Sequence, residues 1–480
     1  MKLKQVLKKV PYLNVKGSKD ISVFGISNHS KLVFPGCIYI AKKGLKFDGS
    51  QFVPEAVSAG ASVIVTDLFD PFLKNVTQVI VKNVADCEAI LAANYYESPS
   101  KELKVIGVVG TNGKTTTSYL IHHLMNAVKN NCSMTGTIEN IIGSEKQVST
   151  HSTPDAVTMQ KLLKEMVLAK QSSVVMEVTS HGIDQRRVKE VDFDIGIFTN
   201  FTQDHLDYHK SMENYFRCKK SFFDDLKKGS VSIINIDDAK GKEIVSDTKS
   251  KIVTYGIDHL ADYQAESIEL HPTYTKFVLK HQNESYPIKV PMVGLFNVYN
   301  ILAAIVAMHI QNYSFEQIIA GLKSFFHVPG RMQQYETDKG VYVFVDYAHT
   351  EDALLKALTT LKAIGKKRII TVFGCGGNRD QLKRAKMGTV AEKYSDFVVL
   401  TSDNPRDESP DEIINQILEG IKGRNYLIEM DREKAILKAI NYASPQDIVL
   451  IAGKGHETYQ LIAGKKLFFD DAKILKGMCK

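Results

Sequence analysis

The chain has 480 residues, 44% hydrophobic and 24% charged, which is ordinary usage for a globular protein of about three domains. Collagen-like, coiled-coil and disordered classes are excluded on that balance. The formal charge is +7, from 61 basic and 54 acidic residues, too small an excess for this length to point to nucleic acid.

The six cysteines are scattered singly, with no C-x-x-C pair, a pattern for reduced thiols rather than disulfides or zinc. The longest apolar run, ILAAIVAMHI (301–310), falls short of the roughly 18 residues needed to span a bilayer. The start, MKLKQVLKKV, is basic but has no apolar stretch behind it. The expectation is a cytoplasmic protein without membrane insertion. Residues 1–101 hold 13 Lys, 8 acids and no Arg; the first arginine is Arg186. Arginine grips carboxylate or phosphate with two parallel N–H groups, whereas lysine acts as a point charge. Any planar anion clamp must therefore lie later in the chain.

Three blocks follow in order. Residues 1–101 alternate short strands (VFGISN, CIYIAKKG, SVIVTD) with one helical stretch near 54–60, and end at the break YYESPSKELK. Residues 102–328 open on the strand KVIGVVG, a Gly-rich loop and a helix from Lys114. Further buried-type strands are SSVVMEV, FDIGIFTN and VSIINID, and a helix covers 297–310. Apolar runs of this length between helices predict a parallel sheet. Residues 329–480 repeat the alternation: VYVFVDY, a helix from about 351, RIITVFG, FVVLTSD, helices at 411–421 and 432–440, then DIVLIAG. The fold class expected is three-domain α/β: a small N-terminal domain, a central P-loop domain with a mostly parallel sheet, and a Rossmann-like C-terminal domain.

VIGVVGTNGKTTTSYL gives the strongest local signal. Gly110, Thr111, Asn112, Gly113, Lys114, Thr115 and Thr116 run from a strand into a helix. Glycines let backbone N–H groups surround phosphates, Lys114 reaches the β and γ oxygens, and Thr115 is placed to hold Mg²⁺. Val108 stands where the first glycine of the usual P-loop pattern would be. Glu177 ends one predicted strand and His205 follows another, where ligands of open α/β sheets gather. A carboxylate and an imidazole suit Mg²⁺ only if phosphate oxygens and water complete the shell. DHLDYH also looks like a zinc cluster, but no Cys is near and the acids favour a harder metal. Taken singly, His205 reads more readily as a structural hydrogen-bonder than as a ligand.

In the third block FGCGGNRD, TSDNPRDESP and IAGKGHETYQ each follow a strand. Together they offer Arg for a carboxylate and Glu for an ammonium, as a zwitterion would need; singly they read as solvated turns. Asn297 and Asn300 share one face at a helix start, where Asn297 has an N-cap alternative. Arg331 stands at the second junction.

GTNGKTTT, MEVTSHG, TNFTQDHLDYH, GLFNVYN, VPGRM, VDYAHT, VFGCGGNRD, TSDNPR and IAGKGHE occur in the order of the Mur ligase family. The chain resembles that family from about residue 24 to 471, most closely its diaminopimelate-adding branch. The resemblance implies an N-terminal domain for the UDP moiety, a central ATPase and a C-terminal domain for the amino acid. It implies ATP-driven addition of meso-diaminopimelate to UDP-N-acetylmuramoyl-L-alanyl-D-glutamate through an acyl phosphate, in peptidoglycan precursor synthesis, by a monomer.

Carried over motif by motif, the catalytic set is Lys114, Glu177, His205, Lys219 and Arg331. The metal set is Thr115, Glu177, His205 and Lys219, with a CO₂-derived carbamate on Lys219. ATP contacts fall to Gly110–Thr116, Asn297, Asn300, Arg331 and Asp346. UDP-substrate contacts fall to Ser30, Ser152, Thr153, Thr179, Gln185 and Arg187. The amino-acid site takes Arg379, Asp403, Asn404, Pro405, Arg406, Gly453 and Glu457, with Arg406 on the distal carboxylate that lysine lacks. The chain departs from the family pattern at His29-Ser30-Lys31, where the family has Asp-Ser-Arg, at Ser50, at His151-Ser152, where the family has Asn-Thr, and at Gln333 and Glu351. Other readings are a diverged ligase acting on another carboxylate, a lysine-adding variant, and a nucleotide-gated regulatory protein without turnover.

Overall fold

The computed structural model describes residues 1–44, 47–365 and 367–478. Two compact units form: Met1–Asp262 with Ala303–Asn312, and Tyr263–Leu302 with the chain from Tyr313 onward.

The first unit opens with a five-stranded sheet. Its order is Tyr12–Lys16, Thr77–Val81, Val63–Thr66, Cys37–Ile40, Gly25–Ser27, parallel except at the first pair. Alternate residues Ile38, Ile40, Val63, Val65, Val79 and Val81 turn to one face and pack on Cys87 and Leu91 of the helix Val84–Tyr95. That helix was not expected from the sequence. VADCEAILAANY is apolar nearly all round and is buried on several sides, so it shows no stripe with a period of 3.6.

The central sheet places Lys104–Val109 between Ser173–Val178 and Ile195–Phe198, all parallel. Val109 lies level with both Val178 and Phe198. The P-loop, the segment after Glu177 and the loop leading to His205 thus leave the sheet side by side. Cys132–Thr135 extends the sheet beyond Ser173–Val178, and Val231–Asn235 and Lys251–Gly256 extend it the other way. The antiparallel hairpin Glu139–Ile142 and Glu145–Val148 ends one edge.

The second unit contains an antiparallel set, Tyr263–Leu270, Thr275–His281 and Glu284–Val290, which the sequence reading did not anticipate. Its strands mix exposed polar with buried apolar residues and lack the continuous apolar runs of the parallel sheet. The C-terminal sheet has the order Gln333–Glu336, Tyr342–Asp346, Ile448–Ala452, Ile369–Phe373, Phe397–Leu400, Tyr426–Ile428. Only the first pair is antiparallel. Leu354, Leu358 and Leu361 of the helix Glu351–Ile364 and Met387 of the helix Leu382–Tyr394 cover one face. Ile436, Ala439 and Ile440 of the helix Arg432–Tyr442 cover the other. Each buried Leu, Ile or Met side chain here contributes roughly 1.5–3 kcal/mol by leaving water.

Candidate active site

The P-loop is shaped by its neighbours as much as by its glycines. Thr199 Oγ1 donates to the Asn112 carbonyl at 2.6 Å, and the Asn112 amide donates to Asn200 Oδ1 at 2.9 Å. A Cβ on Gly110 would lie 1.8 Å from Thr199 Oγ1. Gly113, at φ +85°, turns the chain into the helix Lys114–Ala127, a conformation that costs glycine little. The position held by Val108 lies inside the strand, so no glycine is required there.

Two lysines converge on one carbonyl. Lys114 Nζ donates to Gly110 O at 3.0 Å and Thr111 O at 2.8 Å, and Lys219 Nζ donates to Gly110 O at 2.7 Å. Lys219 is 1% exposed on the helix Met212–Asp224 and lies over the Tyr215 ring. Burial, reinforced by the Lys114 charge, holds its amine well below the usual lysine range. Its neighbour Lys220 instead pairs with Asp224 and Asp247. Burial therefore separates two lysines that sequence could not tell apart, and a neutral amine is the form that reacts with CO₂.

Glu177, 1% exposed, has both oxygens occupied. Oε1 accepts the Thr137 amide at 2.7 Å; Oε2 accepts Thr115 Oγ1 at 3.0 Å and Thr137 Oγ1 at 2.9 Å. A carboxylate joined to a P-loop hydroxyl is an all-oxygen donor set suited to a hard cation completed by phosphate and water. Among the described residues no three His, Cys, Asp or Glu side chains gather into a metal cluster. His205 lies edge-on to His181 and 3.5 Å from Asp204. Burial lowers its pKa, the Asp204 charge opposes that, and His181 and the Lys114 charge add to the lowering. His205 takes a left-handed φ of +51°, an uncommon backbone state outside glycine.

Four of the expected substrate residues touch one another. Thr153 Oγ1 donates to Glu177 O at 2.9 Å and contacts Thr179 Oγ1 at 3.0 Å. Arg187 Nη1 donates to Thr153 O at 2.6 Å, and its Nη2 donates to Gln185 Oε1 at 2.8 Å. Ser152 joins through Thr137, Oγ to Oγ 2.7 Å. Ser30 is buried in the short turn Ser30–Leu32. Asn28, two residues earlier, donates to Asp155 Oδ1 at 2.9 Å and so ties that loop to the start of the helix Ala156–Leu168. Thr137 was missed by the sequence reading. Its only signal is that it follows the end of the strand Cys132–Thr135.

In the second unit Asp346 ends its strand half-buried, and desolvation raises its pKa against the nearby Arg331 charge. Its Oδ2 accepts the Met332 amide at 2.7 Å. Arg331 lies over the Tyr347 ring. Gln333 Oε1 accepts the Gly330 amide at 3.0 Å, so a neutral side chain closes this turn. Asn297 is not an N-cap: it lies inside the helix Leu295–His309, and its Nδ2 donates back to Val293 O at 2.8 Å. Asn300 Nδ2 donates to Asn297 Oδ1 at 3.0 Å.

The amino-acid residues also come together. Asn404 Nδ2 donates to Glu457 Oε2 at 2.8 Å, and Arg406 Nη1 donates to Gly377 O at 2.7 Å. Asp403 is buried, and burial raises its pKa against the Arg432 and Lys454 charges. Gly453 is required beside it, because a Cβ there would lie 2.6 Å from Asp403 Oδ2. Pro405 is buried, while Arg379 is exposed two residues from Gly377.

The Mur ligase middle domain matches residues 108–308. The Mur ligase glutamate ligase domain matches 330–455, and the Mur ligase family catalytic domain matches 22–96. The chain belongs to the Mur ligase family. It is 41% identical over 478 residues to the UDP-N-acetylmuramoyl-L-alanyl-D-glutamate–2,6-diaminopimelate ligase of Caldanaerobacter subterraneus, covering 99% of this chain and 98% of the relative. A protein of the same name from Chlamydia caviae is 41% identical, with 99% of each chain covered. A solved structure of a ligase of that name superposes with a TM-score of 0.73 at 31% identity, covering 99% of this chain and 98% of the other. As a Mur ligase the chain is an ATP-dependent amide ligase. Among the described residues no helix is long and apolar enough to cross a membrane, and five cysteines are free.

Proposed function

We propose that this Mur ligase joins meso-diaminopimelate to UDP-N-acetylmuramoyl-L-alanyl-D-glutamate in the cytoplasm, acting as a monomer. Residues 1–101 serve the UDP moiety, 102–328 the ATP, and 329–480 the amino acid. The acceptor carboxylate attacks the γ-phosphorus of ATP, and ADP leaves with the bridging oxygen. The incoming amine then attacks the acyl carbon of the acyl phosphate, and phosphate leaves. Both steps gather negative charge, so oriented cations and N–H dipoles lower the barrier.

Lys114 and the N-terminus of Lys114–Ala127 supply such groups at the P-loop. Thr115 and Glu177 would hold Mg²⁺, with His205 and Lys219 at its margin, and the cation would neutralise phosphate oxygens. The buried, neutral-leaning Lys219 has the chemistry for a carbamate, which would replace a cation with an anion. Gln185 and Arg187, held to Thr153, orient the acceptor peptide.

One observation carries the choice of amino acid: Asn404 and Arg406, after Phe397–Leu400, and Glu457, after Ile448–Ala452, come from strand ends on either side of Ile369–Phe373, and Asn404 is bonded to Glu457. Arginine and amide suit a carboxylate, and glutamate suits an ammonium. The test supplies purified protein with ATP, Mg²⁺, the UDP-muramoyl dipeptide and either diaminopimelate or lysine, and weighs the product by mass spectrometry. Amide with diaminopimelate is expected; none with either amino acid overturns the reading. Arg406→Ala should lose diaminopimelate use selectively, by roughly 2–5 kcal/mol of binding. Equal use of both amino acids by the unaltered chain would remove the role given to Arg406.

A further inference from the structure

Lys454 was read in the sequence only as part of a Gly-rich turn. It follows the strand Ile448–Ala452 and Gly453, whose φ is +113°. Its side chain is 0% exposed, a rare state for lysine unless it is paired. Nζ donates to Asn404 Oδ1 at 3.2 Å and to Glu457 Oε2 at 3.2 Å. Both acceptors belong to the amino-acid cluster, and they also bind each other.

These contacts dictate which way the Asn404 amide faces. Its Oδ1 receives two donors, Lys454 Nζ and the Leu461 amide at 2.9 Å. The NH₂ end must therefore point the other way, with one N–H on Glu457 Oε2. An amide reversed by rotation would turn N–H groups toward an ammonium, which has no acceptor to offer. Glu457 is oriented by the same means: Lys454 and Asn404 both engage Oε2. The Lys454 charge also faces Asp403, so a second carboxylate shares this buried space without leaving it purely anionic.

We propose that Lys454 is a positioning residue for amino-acid specificity: its buried ammonium fixes the Asn404 amide and the Glu457 carboxylate so that together they present an N–H donor and an anion to an α-amino carboxylate zwitterion. This rests on the reading of the cluster as the amino-acid site. The ligand class is an amino acid with a second zwitterionic end, in which carboxylate and ammonium sit on one carbon. An amino acid ending in a lone ammonium satisfies only Glu457. Lys454 itself does not touch the reacting atoms.

The experiment compares the full-length protein with Lys454→Met, which keeps the length of the side chain and removes the donor. KM is measured separately for diaminopimelate, ATP and the UDP-linked acceptor, with kcat and the preference for diaminopimelate over lysine, after thermal unfolding has shown that the variant is folded. The expected result is a diaminopimelate KM raised tenfold or more. The other two KM values should stay within twofold, and the preference over lysine should shrink by a similar factor. Lys454→Gln, which keeps an N–H donor, should fall between the two. An unchanged diaminopimelate KM in folded K454M overturns the proposal, and so does an even loss across kcat and all three KM values, the signature of a purely structural staple. If K454M does not fold, K454Q decides: a diaminopimelate KM raised threefold or more with the others unchanged supports the proposal, and an unchanged value overturns it. Unaltered protein that makes no amide from diaminopimelate overturns the functional reading and this proposal together. Unaltered protein that does, beside an indifferent variant, overturns this proposal alone.

Discussion

Replacing Thr137 with Val keeps the shape of the side chain and the backbone N–H but deletes one hydroxyl. That hydroxyl donates to Glu177 Oε2 at 2.9 Å and meets Ser152 Oγ at 2.7 Å. Glu177 would keep the Thr137 amide at 2.7 Å and Thr115 Oγ1 at 3.0 Å. The carboxylate would therefore stay buried but lose one of three fixing bonds. A hydrogen bond to a charged group is worth about 1.5–3 kcal/mol, and partners that orient a metal ligand are worth about 10–100-fold in metal affinity or activity. The expected outcome is a Mg²⁺ requirement raised about 10–100-fold. Acceptor KM should rise as well, because the Ser152 hydroxyl loses its link to Glu177. Mg²⁺-dependent nucleotide binding by calorimetry and initial rates across a Mg²⁺ titration measure both, and Thr137→Ser should restore most of each. Wild-type Mg²⁺ and acceptor dependence in a folded T137V protein would refute the reasoning.

Other perturbations test the remaining parts. A Gly110→Ala side chain would place Cβ 1.8 Å from Thr199 Oγ1, so the loop must shift; nucleotide affinity by calorimetry should fall at least about tenfold, with Thr199→Ala restoring part. Arg432 and Asp471 are both fully buried and bonded through two 2.8 Å contacts. Arg432→Met alone should cost about 3–5 kcal/mol in urea unfolding, because it strands a buried charge, while the double variant Arg432→Met/Asp471→Leu should recover most of it. A double variant as unstable as the single would contradict that account. Burial pushes the His456 imidazole down to about 4, so between about pH 4 and 6.5 the unfolded chain binds more protons than the folded one. Stability should then rise with pH through that window and level off above it, and His456→Gln should flatten the rise. An unfolding free energy from urea titration that is the same at pH 4.5 and 7.5 would count against that account.

The P-loop was legible because its chemistry is local: strand, glycines, lysine and helix are adjacent in sequence. The parallel strands were legible for a similar reason, since burial on both faces leaves near-continuous apolar runs such as VIGVV in Lys104–Val109. The helix Val84–Tyr95 and the antiparallel set in 263–290 were not. The first is buried too fully to show a stripe, and the second mixes polar and apolar positions as loops do. Asn297 was legible as a helix-start residue but not as one that bonds back to Val293 inside the helix.

Sequence alone determined the α/β class, the phosphate loop and the family, because motif order along a chain is itself information. Apart from the family pattern, nothing in the residues themselves set Lys219 above Lys220, since both are lysines on one helix. The fold chose by burying one against Tyr215 and Gly110 and pairing the other with two aspartates. Nor could sequence find Thr137, which becomes important only where the end of Cys132–Thr135 reaches the side chain of Glu177, or Lys454, whose partners lie 50 and 3 residues away. The absence of arginine before Arg186 was visible from the first count. Only the fold shows that this block buries Glu88 and sets Lys42 and Asn28 upon it. Charge, hydrophobicity and local motifs can be read along a line, whereas desolvation and hydrogen-bond partnership exist only once distant strand ends have been brought together.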